Sequence, residues 1–213
     1  MATQTSNLTN FNTLSRAGEY TNGGNAYRWI DRTNAQTSNN SYASLSYSDG
    51  SGNPQAAPTS LTSQTVNYFV VTGLSSAVPA GATINGITVK IERYNSVTFG
   101  DFTLTINDSA IYLTKDGSTL VGNNKSTGAA WQSSDNNTTV DFGGAADLWG
   151  TTLTAAEVNA STFGIMISPS LTFDNSETGA NVKIDQVTIT VDYTGGAVRR
   201  QGVFTSKAEL RTV

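Results

Sequence analysis

Four aspartates, Asp101, Asp108, Asp135 and Asp141, are the residues that could do chemistry in this chain. Two acids flanking a glycosidic bond are the core machinery of glycoside hydrolysis. No spacing among these four singles out a pair, and acids on a sparsely charged surface are expected to serve as solvating groups. The chain has no histidine and no cysteine. That removes the usual general base, the Ser-His-Asp triad, the usual zinc ligands and any disulfide. Gly143-Gly144 runs into Ala-Ala-Asp and lacks the Lys-Ser/Thr of a phosphate loop. No enzymatic activity is expected.

Binding chemistry has three candidates. Asp49, Ser51 and Asn53 offer oxygens at alternate positions, as a calcium loop does. The distal Glu of an EF-hand loop is missing, and a plain polar turn reads the same way; no other cofactor is indicated. Trp131 and Trp149, with Trp29, would give a sugar-stacking platform if exposed; the favoured reading is that they cap the ends of the core, since large aromatics are mostly buried. Trp131 is the best placed for exposure, because Ala129, Ala130, Gln132 and Ser133 around it show no strand pattern. The third candidate lies after Gly196. Arg199, Arg200, Lys207 and Arg211, against Glu209 alone, are interleaved with Val198, Val203, Phe204, Leu210 and Val213. Such a stretch either stays disordered and solubilising or docks on a partner and orders there; its apolar content favours docking.

These residues must be positioned by strands. Thr83–Tyr94 alternates from Ile87: Ile87, Val89 and Ile91 face one way, and Thr88, Lys90 and Glu92 the other. The same pattern returns in Val182–Tyr193, where Ile184, Val187, Ile189 and Val191 stand 100 residues after Ile84, Ile87, Val89 and Ile91. Both copies change phase at one place, Asn85-Gly86 and Asp185-Gln186. An odd step flips the face, so a bulge is expected at each. Further strands are expected at 41–48, 66–73, 102–106, 110–114, 138–142 and 163–168, and Ala26–Ile30 brings large aromatics. Lys115-Asp116-Gly117 reads as a hairpin turn, and Thr154 with Glu157 as a capping box opening one short helix. The expected fold is all-β: a jelly-roll-like antiparallel β-sandwich of about eight strands, with one short helix and terminal arms. Residues 1–25 read as a polar N-terminal arm, 26–194 as the sandwich, and 195–213 as the basic and apolar tail.

Composition agrees. Charged residues are 13%, against about 25% in typical domains, and Ser, Thr, Asn and Gly fill the difference. The net charge of −4 argues against nucleic acid as a partner. The opening MATQTSNLTNF has neither a basic nor an apolar run, so no signal peptide is expected, and no stretch is long enough for a membrane span. Synthesis in the cytoplasm without a membrane partner is the expectation.

Four groups of residues, in this order, carry a resemblance. They are Trp29 with Asn34-Ala35 and Tyr42-Ala43; Val78-Pro79-Ala80-Gly81-Ala82-Thr83-Ile84-Asn85-Gly86-Ile87; Val121-Gly122-Asn123-Asn124-Lys125-Ser126-Thr127 with Trp131; and Asp147-Leu148-Trp149-Gly150 followed by Phe163-Gly164 and the Val187–Tyr193 strand. Over about Trp29 to Tyr193 the chain resembles a β-sandwich module of virion structural proteins of tailed bacteriophages, of the capsid-decoration or tail-associated type. The resemblance implies a structural or surface role and brings no catalytic residue with it.

The expectation is therefore a non-enzymatic virion protein, a capsid decoration or auxiliary protein anchored by its terminal segments on capsid or tail subunits. A homo-oligomer is expected with it. Arg199, Arg200, Phe204, Lys207 and Arg211 would be the docking residues. The alternative from another class is a tail or fibre component that binds a surface carbohydrate or receptor through Trp131 or Trp149.

Overall fold

The computed structural model describes residues 1–49, 51, 63–75, 77–95, 104–133, 138–173 and 182–196. Among them are twelve strands: β1 (Ala2–Asn7), β2 (Asn10–Leu14), β3 (Thr21–Asn22), β4 (Asn25–Ile30), β5 (Ala43–Ser48), β6 (Ser63–Thr65), β7 (Tyr68–Thr72), β8 (Thr83–Asn95), β9 (Leu104–Thr114), β10 (Thr139–Gly144), β11 (Gly164–Phe173) and β12 (Val182–Thr194). A 3-10 turn at Arg32–Gln36 and one short helix, α1 (Ala155–Val158), complete the list of regular elements. The strands form two antiparallel sheets. The larger runs β10-β8-β12-β5-β4-β3, with β1 also on β12; the smaller runs β2-β7-β11-β6, with β9 also on β11. This is the all-β sandwich that the alternation predicts, with more strands than the turn signals suggest.

The two echoing segments are hydrogen-bonded neighbours. β8 and β12 pair along their whole lengths, and Val89 stands opposite Ile189, Ile87 opposite Val191, Ile91 opposite Val187. All six side chains are fully buried. They face Phe69, Val71, Ile111, Leu113, Ile165 and Ile167 of the other sheet within one continuous core. Burying side chains of this size contributes about 1.5–3 kcal/mol each, and this seam is where the fold gains most of it. The register slips by one residue at Asp185 and at Asn85, the two bulges expected from the odd steps.

Each sheet has the same device at its centre. β12 is flanked along its length by β8 on one edge, while the other edge is shared by β5 and β1. β11 is flanked by β9 along its length, and its other edge is shared by β7 and β6. Residues 1–25, expected as an arm, therefore belong to both sheets: β1 lies on β12, and β2 lies on β7. The missed signal was the Thr-rich composition of this segment. Backbone pairing needs no apolar face, and the side-chain anchors are few and scattered: Leu8, fully buried, Phe11 stacked on Phe69, and Arg16 donating to Ser109 and Ser168.

Local chemistry explains the connections. Thr154 Oγ1 accepts from Glu157 N at 3.2 Å, and Glu157 Oε2 accepts from Thr154 N at 2.8 Å, so α1 carries the predicted capping box. The predicted hairpin at Lys115-Asp116-Gly117 is a turn without a second strand. Asp116 Oδ1 takes the Ser118 and Thr119 amides at 2.8 and 2.7 Å, and Val121 returns to β9 by a single bridge to Leu113. The two strands expected at 102–106 and 110–114 are one, with Ser109 as the extra residue at its register shift against Ser168/Pro169.

Candidate functional site

The inward parity of β8 continues past Ile91 to Arg93, and that of β9 past Ile106 to Asp108. Both charges therefore point between the sheets, and they meet. Arg93 Nη2 lies 2.7 Å from Asp108 Oδ2, with the two side chains 3% and 1% exposed. Trp131 Nε1 donates to Asp108 Oδ1 at 2.9 Å. The guanidinium lies 4.8 Å from the centroid of Trp131 and 5.8 Å from that of Phe142. Burial pushes the Asp108 carboxyl up, opposed by Arg93 and by the Trp131 indole; burial pushes Arg93 down, opposed by Asp108. The cluster is an inter-sheet bolt with its charges spent on each other.

Trp131 is thus 4% exposed: it caps the core, and the alternative of an indole open for stacking does not hold. Its polar neighbours read as a loose loop. The loop is pinned instead: Trp131 N donates to Ile106 O at 2.7 Å, and Ala130 bridges Asn107. Those contacts turn the indole inward.

Trp149 is fully buried and gives no stacking face either. Its Nε1 donates to Ile87 O at 2.9 Å. Two of the sequence groups meet here. Lys125 Nζ lies 2.6 Å from Asp147 Oδ2, Asp147 Oδ1 accepts from Trp149 N at 2.7 Å, and Trp149 O accepts from Asn123 N. A Cβ on Gly143 would stand 2.5 Å from the indole Nε1, and one on Gly122 2.3 Å from Trp149 O, so both positions need glycine. Trp29 is buried too, donating from Nε1 to Asn67 O at 3.3 Å. All three tryptophans close the core.

Of the four aspartates, the two described, Asp108 and Asp141, have different partners. Asp101 and Asp135 lie outside the described residues. Asp108 is held by Arg93, and Asp141 faces solvent on β10, 3.9 Å from Lys90 Nζ. At the calcium candidate, Ser51 N donates to Asp49 Oδ1 at 2.9 Å, an Asx turn; Asn53 lies outside the described residues. Among the described residues, no three acidic side chains converge as a metal site would require. The docking candidates Arg199, Arg200, Phe204, Lys207 and Arg211 also lie outside them. No helix among the described residues is long and apolar enough to cross a membrane.

Two concave features stand out among the described residues. An apolar groove of about 530 Å³ runs between Ala82–Ile84 and Leu153–Ala156. Gly196 packs at its rim: a Cβ there would stand 2.7 Å from Pro79 Cβ. The second is a polar cleft of about 480 Å³ at the seam where β2 meets β4, lined by Asn12, Thr13, Arg28, Asp31, Arg32 and Ser51, with Trp29 in its wall. Asp31 has φ 50° and opens the 3-10 turn without a side-chain cap. Arg32 Nη1 donates to Asn12 Oδ1 at 3.3 Å. The sequence reading passed over this cleft. The available signal was three charges, Arg28, Asp31 and Arg32, within five positions of a chain only 13% charged.

The fold and these sites define an all-β sandwich with a bolted, closed core. In comparisons with known proteins, no family model, no curated protein and no solved structure matches the chain.

Proposed function

We propose that this chain is a non-enzymatic virion structural protein, a capsid decoration or auxiliary protein held on its particle through its terminal segments. The observation that carries this reading is the pairing of Ala2 with Tyr193. It puts the start of the first strand and the exit of the last strand side by side at one end of the sandwich. Gly196, the last described residue before the basic and apolar stretch, sits at that end beside the apolar groove. A body fixed at one end, with the Arg93–Asp108 bolt and the 31–42 connection toward the other, suits a module displayed on a surface. The chemistry of the core supports the same reading: charged and aromatic groups are consumed in holding sheets and loops together.

Co-sedimentation with particles lacking the protein tests this. Saturable binding by the chain through Val213, lost when it ends at Gly196, is the expected result. Binding by both forms would move the anchor to the sandwich or to β1. Binding by neither would overturn the decoration reading.

A further inference from the structure

We propose that the β2–β4 cleft is a binding site for an acidic sugar, a monosaccharide unit carrying a carboxylate. The inference is independent of where the protein resides.

Its first support is a guanidinium without a partner. Arg28 projects from β4 into the cleft. Its Nε is buried and has no hydrogen-bond partner, and the four ion pairs among the described residues do not include it. A desolvated donor of this kind is costly unless something supplies the missing acceptor. Arg93 also has a buried Nε without a partner, but its Nη2 holds the Asp108 carboxylate at 2.7 Å, whereas Arg28 pairs with no carboxylate among the described residues. The contrast points to an acceptor that arrives from outside.

The second support is Asp31. A non-glycine residue at φ 50° is strained, and such strain is kept where surrounding structure or function requires it. Capping does not explain it, because its carboxylate makes no cap bond to the 3-10 turn. Asp31 forms no ion pair with Arg28 or Arg32 although all three line one cleft. Among the described residues, the cleft thus presents an unpaired carboxylate and a guanidinium whose Nε has no acceptor.

The third support is the rest of the wall. Two guanidiniums against one carboxylate leave a cationic spot on a chain of net charge −4. Arg32 is already oriented by Asn12. Guanidiniums match carboxylates in planar, bidentate fashion. A carboxylate acceptor such as Asp31 takes two neighbouring hydroxyl donors, and the hydroxyls of Thr13 and Ser51 extend that polar lining. A ligand with a carboxylate at one end and vicinal hydroxyls at the other answers the whole set. A volume of about 480 Å³ lies within the range of about 300–1,000 Å³ usual for small-ligand sites.

The test is calorimetric titration of the full chain with D-glucuronate, D-glucose and inorganic phosphate. Saturable binding of glucuronate, at least about tenfold tighter than either other probe, is expected, since tenfold corresponds to one lost charge-assisted contact. No binding of glucuronate would overturn the proposal. Glucose binding equally well would remove the role of the arginines, and phosphate binding equally well would reduce the cleft to a bare anion site; either result overturns the acidic-sugar assignment. Arg28→Gln should weaken glucuronate at least about tenfold. Asp31→Gly separates binding from folding, because glycine relieves the left-handed backbone. It should weaken glucuronate while leaving the melting temperature equal or higher. Unchanged glucuronate binding in Asp31→Gly would overturn the proposal even if Arg28→Gln failed to fold.

Discussion

Val89 and Ile189 stand opposite one another at the midpoint of the β8–β12 pair, and the pairs on either side are related by exchange: Ile87 with Val191, Val187 with Ile91. The pair therefore has a local two-fold axis between residues 100 positions apart, and the bulges at Asn85 and Asp185 are its two images. Their environments differ. Asp185 is fully buried, and its carboxylate accepts from Asn39 N at 3.1 Å and Asn40 N at 3.0 Å. Asn85 is half-buried; its Oδ1 accepts from Thr194 Oγ1 at 3.3 Å, and its Nδ2 has no partner among the described residues. Asp185→Ala should cost about 2–4 kcal/mol, because it orphans buried amides, and Asn85→Ala less than about 1 kcal/mol. Denaturant melts of the two variants check this; equal losses would refute the asymmetry.

Removing one partner of the Arg93–Asp108 pair leaves the other charge buried and unpaired. Asp108→Ala should destabilise by about 3–5 kcal/mol, whereas Arg93→Met combined with Asp108→Leu should recover much of the loss. A double-mutant cycle read by chemical denaturation measures the coupling. Additive losses would show that the two residues do not act as a pair.

Trp131→Ala should cost about 3–5 kcal/mol, as large aromatic truncations in a core do, and it leaves Asp108 short of a donor. A melting temperature within a degree or two of the parent would mean that the indole is not packed as seen. Any binding lost in this variant would therefore have to be separated from lost folding.

Acid should loosen the base of the sandwich. Burial raises the Asp147 carboxyl, but the Lys125 ammonium and the Trp149 amide together hold it below the ordinary carboxylate range. Glu157 is held low chiefly by Lys115, with help from the Thr154 amide. A carboxyl depressed in the folded state contributes stability above its unfolded pKa and loses it as pH falls through the folded value. Stability should therefore drop as pH falls below the usual carboxylate range. In Asp147→Asn that acid-dependent drop should be smaller, as followed by thermal melts across pH.

The alternation of strongly patterned strands was legible in the sequence, and so were the bulges, because an odd step in an apolar repeat has one structural meaning. The capping box at Thr154 was legible for the same reason: its side chains bond to neighbours three residues away. Residues 1–25 were not, since β1 and β2 are held by backbone pairing to strands more than 50 residues away in sequence. Trp131 reads as the most exposed of the three tryptophans because its surroundings are polar in sequence and apolar in space. Arg93 and Asp108 did carry a signal, as each continues an inward parity, but a charge at such a position reads as the end of a strand until its partner is known. The β2–β4 cleft depends on two segments meeting across a seam, which no local pattern specifies.

The pairing of Ala2 with Tyr193 also bears on how this unit can be carried. A polypeptide passing through it enters and leaves at nearly one point, so the sandwich needs only a single gap in the surface of whatever holds it. Spliced into a loop of another chain, it would leave the flanking strands of that chain undisturbed. Closed on itself by a short linker, it would become a ring in which new openings can be cut at other turns.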